Sequence, residues 1–130
     1  MKRQVLIASL SLLLTACNDG AATAEQAPEL QTPAQRGLAL AKANACTACH
    51  ALDGTRGIGP SWVGIYGNTQ KLADGSSVLV DDAYLQRSMR EPAAQVVEGF
   101  DSVMVPAAVT DAQVLDIIAL IKELQDGSLP

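Results

Sequence analysis

The sequence predicts an all-α domain of three or four helices joined by long loops, with at most a small β-hairpin. Three observations predict it. Two stretches open alike, with a threonine followed three residues later by a glutamine: Thr32 with Gln35, and Thr110 with Gln113. Each threonine can accept from the third amide while the glutamine returns to the cap amide, a capping box. After the second box, Val114, Ile117, Ile118, Ile121 and Leu124 recur at helical spacing. Only one stretch, Leu72 to Val80, carries a hairpin signal, with Asp74-Gly75 as its turn. At 130 residues the chain is long enough for a single domain.

The N-terminal residues stand apart from that domain. Lys2 and Arg3 precede an apolar run from Val5 to Leu14. A bilayer needs about 20 apolar residues, so this shorter run reads as an export signal. Leu14-Thr15-Ala16-Cys17 resembles a bacterial lipobox, in which the cysteine becomes the lipid-modified first residue of the mature chain. A competing cleavage pattern, Ala22-Thr23-Ala24, lies well beyond the apolar run. The expected organisation is a lipoprotein signal peptide at 1–16, a lipidated flexible tether at 17–32 and a folded domain at 33–130. The expected location is the periplasmic face of a membrane, in either leaflet. The tether is built of Ala, Glu, Gln, Thr and Pro28, with too few large apolar side chains to fold. Such coil spans about 20 Å on average.

Within the domain, Thr32 caps the first helix and Pro33 takes its first position, where a missing amide does no harm. Leu38, Ala41 and Ala45 are its expected apolar stripe, running into Cys46. Asp81 or Asp82 opens a short helix through Arg90, which Glu91-Pro92 stops. The last helix runs from Thr110, with Gly127 after it as a stop signal. A glycine-rich loop, Gly54 to Gly59, does not match a phosphate-binding pattern. One phenylalanine, two tyrosines and one tryptophan leave the core thin.

One pentapeptide decides the chemistry: Cys46-Thr47-Ala48-Cys49-His50. C-x-x-C-H is the attachment pattern of a c-type haem. Each thiol can add across one vinyl group of the porphyrin, and the adjacent histidine is delivered to the iron from the same face. Two other readings exist. A structural zinc site needs two more ligands, and the only other cysteine, Cys17, lies in the targeting segment. A redox dithiol makes His50 incidental and expects a βαβ context, which the pattern lacks. One covalent haem c agrees with export, since it is attached outside the cytoplasm. It also supplies the flat apolar surface that the thin core lacks.

His50 is the single histidine, so the opposite face of the iron needs another ligand. Two methionines remain after signal removal. Met104 sits in a proline-containing loop, Phe100 to Pro106, that can reach round the ring, whereas Met89 lies on the short helix and is the kind that fills a core. Met104 is the expected ligand, and an open or water-bound iron is the remaining alternative. With both faces taken no substrate can bind the iron, so a one-electron carrier and not an enzyme is expected, and thioether ligation in an apolar pocket favours the ferrous state and raises the potential. A fixed electron-transfer subunit of a respiratory or dehydrogenase complex is an alternative, as is a five-coordinate haem sensor or peroxidase. Glu98 and Asp101 are expected to form a solvated edge and not an acid–base pair.

Several further motifs carry a resemblance. They are Gly59-Pro-Ser-Trp62, Gly64-Ile-Tyr-Gly67, Leu72-Ala-Asp-Gly75, Asp82-Ala-Tyr-Leu85, Glu91-Pro92, Val97-Glu-Gly-Phe100 and Val103-Met104. With the pentapeptide, they make residues 33–124 resemble the class I mono-haem cytochromes c. In particular the chain resembles the cytochrome c domain fused to some bacterial cytochrome c oxidase subunits II. The oxidase membrane segments and copper-site cysteines are missing, so a stand-alone lipoprotein is expected. The resemblance implies the cytochrome c fold. It implies that the Pro60 carbonyl accepts the hydrogen bond of His50, that Met104 binds the iron, and that Gly37 lets the first and last helices cross closely. Two positions depart from the pattern: Leu120 stands where the family has an aromatic residue, and Val105 separates Met104 from Pro106.

From Cys17 onward the chain keeps seven basic and fourteen acidic residues, a net of −7. No basic patch exists to meet phosphate, which excludes a nucleic-acid role. The acidity either serves solubility alone or steers the chain to a partner with a basic docking face. The expected partners are redox proteins, a donor and an acceptor, together with a membrane reached through the lipid.

Overall fold

The computed structural model describes residues 31–130. The expected signal peptide, Cys17 and most of the expected tether lie outside the described residues.

Three helices and one two-stranded sheet make up the fold, as the all-α expectation with a small hairpin requires. Helix α1 spans Pro33–Ala43 and helix α3 spans Asp111–Glu123. Both open on complete capping boxes. Gln35 N donates to Thr32 Oγ1 at 3.2 Å and Thr32 N to Gln35 Oε1 at 2.9 Å. Gln113 N donates to Thr110 Oγ1 at 3.3 Å and Thr110 N to Gln113 Oε1 at 2.9 Å. Helix α2, Asp82–Arg90, is capped by Asp81, whose Oδ1 accepts from Tyr84 N at 2.8 Å. It ends at Glu91, before a short 3-10 turn at Pro92–Ala94.

The buried face of α1 differs from the expected stripe. Ala34, Gly37 and Ala41 are buried, Leu38 is only half-buried, and Ala45 is exposed. The helix ends before Ala45, which takes a left-handed conformation at φ 57°. The reason lies in α3. A Cβ built on Gly37 would stand 2.0 Å from the Asp116 carbonyl oxygen and 3.0 Å from Leu120 Cβ. Backbones this close admit only small residues between them, so alanine and glycine, not leucine, mark the contact face. The crossing is of the kind that the cytochrome resemblance implies, and Leu120 fills the aromatic position fully buried.

Helix α3 provides the centre of the core. Val114, Ile117, Ile118, Ile121 and Leu124 are buried at its helical spacing, as expected. Trp62, Ile65, Val80, Tyr84, Leu85 and Met89 pack in the same cluster. The hairpin forms slightly earlier in the chain than Leu72 to Val80. Strand β1, Thr69–Lys71, pairs antiparallel with β2, Ser77–Leu79. Leu72 is instead the first residue of the turn, where its amide donates to Ser76 O at 2.8 Å. Gly75 holds φ 86° in that turn, where a side chain would be strained. Leu72 is buried and bridges to Val97, which ties the hairpin to the loop after α2. Among the described residues, no helix is long and apolar enough to cross a membrane.

Replacing Gly37 by alanine is expected to cost about 2 kcal/mol or more, because α1 and α3 must separate. Gly75→Ala meets open space and should cost only about 1 kcal/mol of backbone strain. Urea unfolding of the two variants in the haem-bearing protein checks the order.

Candidate functional site

The pentapeptide begins one residue after Ala45. Cys46–Ala48 form a single 3-10 turn, and His50 N donates to Cys46 O at 3.0 Å. Both thiols are half-buried and free. Burial pushes the Cys46 thiol up, and the neighbouring Cys49 adds to the rise. A redox dithiol needs the opposite, a depressed thiol.

The glycine-rich loop then folds back on the pentapeptide. Gly59 N donates to Cys49 O and Trp62 N to Ala51 O, each at 3.0 Å. Side chains are excluded at this return: a Cβ on Gly57 would lie 2.4 Å from Cys49 O, and one on Gly59 would lie 2.6 Å from the His50 ring. The fold thereby grips one imidazole. Nδ1 of His50 lies 2.8 Å from Pro60 O, as the resemblance implied. A carbonyl can only accept, so Nδ1 carries the proton and Nε2 keeps its lone pair. Trp62 stacks on the ring, with centroids 5.2 Å apart and planes 23° from parallel. Burial lowers the pKa of His50, partly opposed by the bond to Pro60, so the ring stays neutral at neutral pH. A neutral, oriented imidazole with one free nitrogen is what a metal ligand requires.

His50 faces a cleft with about 780 Å³ of empty space, counted out to its open mouth. Pro60, Trp62 and Ile65 form one part of its lining, Tyr84, Leu85 and Met89 of α2 another, and residues 95–97 with Asp101, Ser102 and Met104 a third. His50, Pro60 and Met104 therefore share one cavity, with Cys46 and Cys49 on the turn leading into it. Met104 is 39% exposed, while Met89 is buried in the core cluster. The site accommodates the expected group. Its walls are mostly apolar, its single histidine is preset as a ligand, and its thiols precede that ligand directly. Ser88 Oγ, on the cleft wall, is buried with no hydrogen-bond partner, a cost of about 1–3 kcal/mol for a polar atom left alone. An orphan of this sort fits a cavity that a bound group completes.

Glu98 pairs with Lys71 at 2.8 Å with both side chains more than half exposed, in keeping with a solvated edge. Three contributors to the site escape a reading of the sequence alone. Trp62 stands out as the sole tryptophan and as the end of the Gly59-Pro-Ser-Trp62 motif, but its stacking on His50 has no local signal. Ser88 has no signal at all. Arg90 anchors the far end of the Met104 loop, donating to Val109 O at 2.6 Å and to Asp111 at 2.7 Å, and reads in sequence as an ordinary surface cation.

Fold and site together define a small helical domain whose cleft, beside two thiols and an oriented histidine, suits a covalently attached haem. The chain matches the family model for Cytochrome c over residues 34–125. It belongs to the cytochrome c family, carries haem c as its cofactor, and falls among electron-transfer proteins. No curated protein matches the chain.

Gly59→Ala would drive a methyl group into the His50 ring. The expected loss is about 1–3 kcal/mol from overpacking, together with less haem per chain. Pyridine haemochrome absorbance against protein mass measures the loading, and Gly54→Ala, which meets open space, is the comparison.

Proposed function

We propose that this chain is a lipid-tethered one-electron carrier, in which His50 and Met104 bind the haem iron on its two faces. The observation that carries this reading is the preset imidazole of His50 facing a cavity that also holds Met104. When bound, the haem supplies reversible one-electron chemistry at its iron. The residues of the chain do the rest. Cys46 and Cys49 fix the porphyrin through thioethers. Pro60 holds the Nδ1 proton of His50, so that Nε2 points to the cavity. Met104 offers its thioether from the 99–106 loop, and Met89 is occupied as core packing. Trp62, Ile65, Leu85 and Ile121 exclude water from the cavity. With His50 and Met104 in place no position is left for a substrate, which makes the chain a carrier and not a catalyst.

Anchoring follows from the sequence. Cys17, lipidated after cleavage of residues 1–16, would hold the domain on the periplasmic face of a membrane through the 17–32 tether. Donor and acceptor are redox proteins whose basic faces meet the acidic mature chain. The likeness to oxidase-fused cytochrome domains favours a respiratory setting.

Two variants separate the methionines. Met104→Ala is expected to lose the weak near-infrared band of methionine–ferric ligation, lower the potential and let carbon monoxide bind the ferrous protein. Met89→Ala should keep that band and cost about 2–5 kcal/mol of stability. Ready carbon monoxide binding by the unmutated ferrous protein would overturn the carrier reading. Anchoring is checked by Cys17→Ser, which should release the protein from membranes with its haem spectrum unchanged. An intact mass showing an unmodified start near Glu25 contradicts it.

A further inference from the structure

The stretch that carries Met104 has few ties to the rest of the fold. At one end Glu98 N donates to Lys71 O at 2.8 Å, and at the other Ala107 N donates to Met89 O at 2.7 Å. Between them, residues 101–106 are exposed. Their backbone bonds are local, such as Val103 N to Asp101 O at 2.9 Å. One side chain reaches this stretch from the loop that leads to Gly59 and Pro60. Arg56, in the glycine-rich loop three residues before Gly59, donates from Nη2 to Gly99 O. Its guanidinium also lies over the Phe100 ring, 4.2 Å from the centroid. Among the described residues, the one other hydrogen bond from 99–106 to the rest of the chain is local, from Phe100 N to Val97 O at 3.1 Å. The two segments it joins form facing walls: Gly59 and Pro60 on one side, Val97, Asp101 and Met104 on the other.

We propose that Arg56 is a positioning residue for the sixth ligand: its clasp on Gly99 and Phe100 holds the Met104 loop closed against the His50 loop. The inference rests on the reading of Met104 as a ligand. A loop held only at its ends swings open at small cost, and Met104, five residues beyond Gly99, swings with it. The clasp adds two directional contacts on the side where the loop would open. A charge-assisted hydrogen bond and a cation over an aromatic ring each favour the closed form. A lysine cannot reproduce both, since it lacks the planar fork that reaches a carbonyl while stacking on a ring. Through these two contacts the arginine would set how often Met104 leaves the iron.

The test is a titration of the ferric haem-bearing protein with imidazole, followed through loss of the methionine near-infrared band. Imidazole takes the iron position only when Met104 leaves it, so its apparent affinity reports the open fraction. Arg56→Ala should bind imidazole about five- to thirty-fold more tightly than the unmutated protein. Arg56→Lys should fall between the two. Phe100→Leu keeps the Gly99 bond, loses the ring, and should gain about two- to five-fold. It also serves if Arg56→Ala fails to fold. Arg36→Ala removes the pair with Asp116 at the helix crossing, far from the loop. It controls for general destabilisation and should leave imidazole affinity unchanged. Equal affinity in the unmutated protein, Arg56→Ala and Phe100→Leu overturns the clasp while leaving the ligand reading intact. Equal gains in Arg56→Ala and Arg36→Ala also overturn it, since the effect is then only loss of stability. Absence of the methionine band in the unmutated protein overturns the ligand reading and the clasp together.

Discussion

An imidazole has two nitrogens, and the rest of this structure depends on one of them being taken. The Pro60 carbonyl holds the Nδ1 proton of His50 at 2.8 Å, which leaves Nε2 as the free, neutral donor to the cavity. Everything around this contact serves to bring a backbone carbonyl to a ring ten residues earlier in the chain. The loop between them must fold back within van der Waals distance of the pentapeptide. Gly57 and Gly59 allow this because no side chain fits between the loop and Cys49 or His50. Trp62, just beyond, fixes the plane of the ring by stacking on it. Tautomer, orientation and protonation of the ligand are therefore set by the protein before any metal is considered.

The same economy governs the scaffold. A chain with few aromatic residues cannot fill a large core, and α1 and α3 respond by crossing at backbone contact through Gly37. The aliphatic row of α3 then does double service: Leu120 packs under the crossing, and Ile121 lines the cleft. Tyr84, Leu85 and Met89 of α2 form another wall. One side of the core is thus left as a cavity of apolar side chains with a single orphaned hydroxyl at Ser88. A haem held in this cavity would complete the core, so that cofactor and fold would depend on the same contacts.

Local signals in the sequence were strong wherever the chemistry is local. Both capping boxes form with all their hydrogen bonds, the α3 periodicity marks its buried face, and Cys46, Cys49 and His50 announce the site through a spacing that serves one cofactor. The hairpin was legible in its Asp74-Gly75 turn but not in its register, because the strands pair around a five-residue turn that takes in Leu72. The face of α1 was misread at Leu38 and Ala45. Periodicity looks for large apolar residues, and a close crossing selects small ones. The contacts of Trp62, Arg56 and Arg90 were not legible, since each reaches a partner defined only by the tertiary fold: a ring, a loop carbonyl, a far helix cap. Met104 stood out by elimination among two methionines, and both line the cleft, Met89 from the buried face of α2 and Met104 from the exposed loop.

The central claim is that the iron lies between His50 and Met104, and proton NMR of the ferrous haem-bearing protein tests it most directly. A methionine bound to haem iron has its methyl group over the ring, where the ring current moves the signal far upfield. The account predicts one such three-proton resonance, present in Met89→Leu and lost in Met104→Leu. An unmutated protein without that resonance, or one whose resonance disappears with Met89→Leu, would contradict it.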